Sequence, residues 1–146
     1  MRTSEDTARP EDDLPAPRLN LFGPGRVGFL KLFITATLWI NVRLHPRLAK
    51  VILVLHEQLT RDAGLPPDFQ GWMTDSQIAR ALGSADRRAY TPQAATITKY
   101  RNLIARMIKE MTPSGHRPPK LFETERLVGT RLARQVEVID LSTRLD

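Results

Sequence analysis

The chain has 146 residues, a net charge of +6 and no cysteine. That length fits one domain plus tails, and the missing thiols exclude disulfide staples, thiol catalysis and cysteine–zinc sites, which suits a reducing cytosol. The charge is uneven: residues 1–18 hold five acids (Glu5, Asp6, Glu11, Asp12, Asp13) and three bases (Arg2, Arg9, Arg18), a net of −2, so the rest of the chain carries +8 and its basic surface fits nucleic acid or an anionic membrane.

Charge, three prolines and few apolar groups make residues 1–18 read as a disordered arm. No basic start followed by an apolar run marks a secretory leader. Residues 19–22 suit a short strand or anchor, and Gly23-Pro24-Gly25 a turn. The stretch GPGRVG lacks the Gly-Lys-Ser/Thr ending of a phosphate loop. Residues 27–35 and 38–44 are rich in Thr, Phe, Ile and Trp and read as two strands joined near Ala36. Lys31 and Asn41 interrupt this most apolar part of the chain, which falls short of the ~20 residues of a membrane helix. Trp39, Trp72, Phe33 and Phe122 are expected in the core.

Pro46 opens a helix over 46–62, with Leu48, Val51, Ile52, Leu55 and Leu59 as its buried stripe. His56-Glu57 is not a zinc-protease motif, because position 60 is Thr. His45, His56 and His116 are scattered, so no metal site is expected, and no nucleophilic triad stands out, so neither is catalysis nor a cofactor. Residues 64–71 form a proline-rich loop. Thr74 and Gln77 have capping-box spacing ahead of a helix over 75–82. Ile78, Ala79 and Leu82 face inward there, and Gly83 is expected to end the helix.

After a polar loop over 84–90, Thr91 can cap a long helix over 92–111, with Pro92 in its first turn. Ile97, Tyr100, Ile104, Met107 and Met111 recur at helical spacing as an apolar face. The other face carries Thr98, Lys99, Arg101, Asn102, Arg106 and Lys109. Such a face suits a DNA major groove; alone, it fits an ordinary amphipathic surface helix as well. Residues 112–120 are a loop. Residues 121–125 and 130–139 read as strands, joined through Arg126-Leu127-Val128-Gly129 into a hairpin.

Strands, helix, short helix, long helix and hairpin follow one another as in a winged helix-turn-helix. Over about residues 27–141 the chain resembles the output domains of OmpR/PhoB-type response regulators. VRLHPRLAKVILVLHEQL is similar to the family's first helix and the strand end before it. WMTDSQIARAL is similar to the second helix, IARMIKEM to the end of the recognition helix and LFETERLVGTRLA to the wing. Thr124, Arg126, Gly129 and Arg131 match the wing in spacing. Leu127 stands where the family generally has Gly, Thr130 where it has an aromatic, and Ile108 where it often has Arg.

The resemblance implies an α+β fold: a winged helix-turn-helix with a short N-terminal antiparallel sheet, three helices and a C-terminal β-hairpin wing. The domain spans 19–141, between the arm and a tail at 142–146. The implied function is sequence-specific binding of double-stranded DNA in the cytoplasm, at the nucleoid, by a transcriptional regulator. Thr98, Arg101 and Asn102 then face base edges, with Lys99 and Arg106 on the backbone or groove edge. Arg126 reaches a minor groove or phosphate from the wing, and Arg131 supports it. Lys50, Arg87 and Arg88 are phosphate candidates. Eighteen residues cannot hold a receiver domain, so phosphorylation within this chain is not expected. RNA polymerase, another regulator and a second copy of the chain stay open as partners; a membrane is not expected. The same surface would also serve replication, partition or phage and plasmid maintenance, and a winged helix can instead bind protein.

Overall fold

A computed structural model describes residues 14–85 and 92–141. The fold is α+β. Strands β1 (Arg18–Phe22), β2 (Val27–Phe33) and β3 (Trp39–Leu44) are followed by helix α1 (Pro46–Arg61) and a single 3-10 turn at Pro67–Phe69. Helices α2 (Asp75–Ala85) and α3 (Ala94–Met111) come next, then β4 (Phe122–Glu125), β5 (Gly129–Leu132) and β6 (Glu137–Asp140).

The three N-terminal strands form an antiparallel meander because their apolar residues alternate. Leu19 and Leu21, Leu30 and Leu32, and Ile40, Val42 and Leu44 are all buried, while the residues between them are half-buried or exposed. The buried face joins one core with Leu48, Ala49, Val51, Ile52 and Leu55 of α1, Ile78 and Leu82 of α2, and Ile97, Ile104 and Ile108 of α3. Gly28 lets α1 lie against β2: a Cβ there would stand 2.9 Å from that of Ala49.

The sheet is mixed rather than antiparallel. Its order is β3-β2-β1-β6, and β6 runs parallel to β1 with Leu19 opposite Val138. The single strand expected over 130–139 is therefore two. β5 pairs with β4, the chain bends over 133–136, and β6 crosses to the free edge of β1. That edge would otherwise leave a row of unpaired amides and carbonyls. The N–H groups of Glu137 and Leu141 continue the ladder by donating to the carbonyls of Pro17 and Leu21.

Other boundaries also differ. α2 continues through Gly83 to Ala85, so Gly83 does not end it. α3 starts at Ala94, its N-cap Gln93 makes no side-chain cap bond, and Pro92 is buried ahead of the helix. The cap expected from Thr91 lies outside the described residues, as do Arg87, Arg88 and the tail over 142–146. The expected arm over 1–18 is described only from residue 14, where Arg134 donates to the Leu14 carbonyl at 2.8 Å. Trp39 is not a core residue. It is 46 % exposed on the outer face of the sheet, because its odd-numbered register faces away from the helices. Phe33 stands beside it, and Lys31 packs over both rings. Trp72 and Phe122 are half-buried.

Candidate nucleic-acid interface

The capping box forms as its residue types require. The Thr74 hydroxyl accepts from the Gln77 N–H at 3.1 Å, and the Gln77 side-chain carbonyl accepts from the Thr74 N–H at 2.8 Å. This reciprocal pair fixes where α2 begins and so where Asp75 points. Asp75 accepts from the Thr98 hydroxyl at 2.8 Å and from Arg101 Nη2 at 3.1 Å. The start of α2 is thereby tied to the first half of α3, with the carboxylate at the positive end of the α2 dipole.

The inward face of α3 differs from the one its apolar spacing predicts. The buried residues of α3 are Ile97, Ile104 and Ile108, with Tyr100, Leu103 and Met107 partly buried. Met111, placed in the apolar face, is 50 % exposed. Spacings of four, three and four residues link positions 97, 101, 104 and 108. Arg101 therefore stands in the buried stripe, and its side chain is only 14 % exposed. Its Nε is buried without a partner. The signal that could have located it was Ile108, apolar seven residues on.

The exposed stripe of α3 consists of Thr98, Lys99, Asn102, Arg106 and Lys109, with the small residues Ala95 and Ala105 among them. Thr98 is exposed even though its hydroxyl serves Asp75. Glu110 is the one described carboxylate exposed on this helix. The stripe thus offers three cations and a carboxamide on a rigid cylinder whose opposite side is the core.

The hairpin β4–β5 is fastened to the helical body rather than hanging from it. Thr130 and Met73 exchange two backbone hydrogen bonds, at 2.8 and 2.9 Å, so the segment before α2 becomes a third partner of the hairpin. Gly129 makes this approach possible: its φ is +134°, and any Cβ would run into the Met73 carbonyl. Thr130 is the one buried polar residue among those described. Nothing in the sequence announced this bridge, since Met73 lies 57 positions before Thr130.

Arg131 locks the root of the hairpin. Its Nη1 donates to the carbonyls of Pro67 and Gln70 at 2.8 and 3.2 Å, its guanidinium lies 4.4 Å over the Trp72 ring, and Glu123 pairs with it at 3.5 Å. Arg126 sits in the exposed turn at the other end. Between that turn and the start of α2 is an open cleft of about 550 Å³, lined by Asp75, Arg101, Thr124, Arg126 and Gly129 among others. Lys50 is half-buried on α1. The structure therefore brings Lys99, Asn102, Arg106 and Arg126 to the surface and commits Arg101 and Arg131 to internal bonds.

Among the described residues, no group of three or more His, Cys, Asp or Glu side chains could hold a metal ion, and no helix is long and apolar enough to cross a membrane. In comparisons with known proteins, no family model matches this chain, nor does any curated protein or solved structure.

Proposed function

We propose that this chain is a sequence-specific double-stranded-DNA-binding protein acting as a transcriptional regulator, with a winged helix-turn-helix of OmpR/PhoB type as its body. The observation that carries this is the exposed stripe Lys99–Asn102–Arg106–Lys109, mounted on a helix clamped to α2 and flanked by an anchored hairpin. A helix of this diameter fits the major groove, where Asn can pair with adenine through two hydrogen bonds and Lys and Arg can reach guanine or phosphates. Asn102 becomes the leading base reader. Thr98 and Arg101 set the helix in place through Asp75, and Arg101 contacts DNA only if it leaves that carboxylate. The wing brings Arg126 to the adjacent groove, and Arg131 holds the wing's root.

The test is a salt titration of binding to duplex DNA. Lys99, Arg106, Lys109 and Arg126 together neutralise about four phosphates, so log affinity should fall with log salt at a slope of roughly −3 to −4. Lys99→Ala and Arg106→Ala should each lower that slope by about 1, whereas Asn102→Ala should leave the slope and relax sequence preference. Binding without salt dependence, or unaltered by all three substitutions, overturns the proposal.

A further inference from the structure

We infer that Leu127 is an apolar wedge that the wing drives into the minor groove of bendable duplex DNA. This rests on the duplex-binding function proposed above and extends it from groove reading to DNA deformation. Leu127 is 98 % exposed, the most exposed large apolar side chain described. Its φ is +71°, and among the described non-glycine residues only Arg26 shares a positive φ. A turn of this shape favours glycine or asparagine, since a Cβ crowds the following carbonyl in the left-handed region. The position therefore carries backbone strain and an unburied leucine together, and neither benefits the fold. Strain of this kind, kept in an exposed turn whose root is pinned, points to a functional tip.

The surroundings suit insertion. The turn is closed by the Val128 N–H donating to the Glu125 carbonyl at 3.0 Å. The root is pinned by the Met73–Thr130 bridge and by Arg131 on Pro67 and Gln70. A side chain pushed between stacked bases needs that rigid backing. Arg126 precedes the leucine and offers a cation to the narrow, negative groove. Val128, 44 % exposed, adds apolar bulk behind it. Glu125 is repelled by phosphates and so limits entry to the tip at 126–128. Leucine is among the side chains that unstack a base step from the minor groove and kink the duplex, and pyrimidine–purine steps yield most readily.

The experiment uses the full chain and 30-base-pair duplexes carrying donor and acceptor dyes at their ends. One duplex has a central TpA step, the other a central GpC step. Wild type should raise energy transfer on the TpA duplex, by a bend of roughly 20–90°, and should bind that duplex several-fold more tightly than the other. Leu127→Asn keeps a residue that tolerates the backbone but removes the wedge. It should retain the salt slope, keep or raise the melting temperature, bend neither duplex and lose the TpA preference. Leu127→Met should keep both. Tight binding by wild type without a bend, or an equal bend by Leu127→Asn, overturns the wedge and leaves the duplex-binding proposal standing. Failure of wild type to bind either duplex at low salt overturns both.

Discussion

Gly129→Ala tests the joint that makes the hairpin part of the body. The new Cβ would collide with the Met73 carbonyl oxygen, lie 2.6 Å from its carbon and 3.1 Å from the Thr74 nitrogen. These are backbone atoms, which cannot swing away as a flexible side chain would. The conflict is relieved only if β5 retreats, and retreat breaks both Met73–Thr130 hydrogen bonds. Two such bonds contribute about 2 kcal/mol net. An alanine forced to a glycine-type φ costs a further ~1–3 kcal/mol. The expected loss is therefore about 3–5 kcal/mol. Unfolding entropy of ~2.1 cal/mol/K per residue converts this to a fall in melting temperature of roughly 10–20 °C for a domain of this size. Gly115→Ala is the control, because Gly115 also has a positive φ, +88°, yet a Cβ there meets nothing within 4 Å. It should lose only the backbone part, about 1–2 kcal/mol. Urea unfolding followed by circular dichroism measures both. Equal losses for the two variants would refute the steric origin of the Gly129 requirement and with it the anchoring of the hairpin.

Two further outcomes are expected. Asp62, in the turn after α1, accepts from the Gly71 N–H at 2.9 Å and from the Gln58 side chain, and these bonds to its charged form hold its pKa below the ordinary 3.8. A lowered folded pKa means that the stabilisation is complete above the ordinary value and is lost as pH falls through the folded one; stability measured from pH 6 to pH 2 should therefore decline less steeply below about pH 4 in Asp62→Asn, and parallel curves would show that these bonds do not favour the charged form. Asp75→Asn removes the carboxylate from the α2–α3 clamp: it should cost about 1 kcal/mol of stability, with coupling to Arg101→Ala in a double-mutant cycle, and on the DNA-binding reading it should weaken duplex binding because α3 is no longer held in place, so that unchanged or tighter binding with an intact fold would count against this account of Arg101.

Much of the fold is legible in the sequence because it depends on short-range rules. Alternating apolar residues specify β1 to β3, Pro46 and the stripe from Leu48 to Leu55 specify α1, and Thr74 with Gln77 specifies where α2 begins. The tip of the hairpin is legible too, since Arg126 to Gly129 lies between two alternating segments. Composition likewise points to a basic body, and that charge is visible without coordinates.

The tertiary structure decides whatever depends on partners distant in sequence. β6 belongs with β1 because an open sheet edge needs covering, which the alternation of residues 135–138 cannot express. Gly129 and Thr130 are explained by Met73, and Arg131 by Pro67, Gln70 and Trp72. Arg101 shows the difference most sharply. Its residue type and its polar neighbours place it on the solvent face of α3, yet its helical phase with Ile97, Ile104 and Ile108 turns it inward, and Asp75 supplies the charge that lets it stay there. Sequence alone determined that α3 has a basic face. Only packing against α2 decided that this face is Lys99, Asn102, Arg106 and Lys109, because a half-buried guanidinium is tolerated where a carboxylate from another helix meets it.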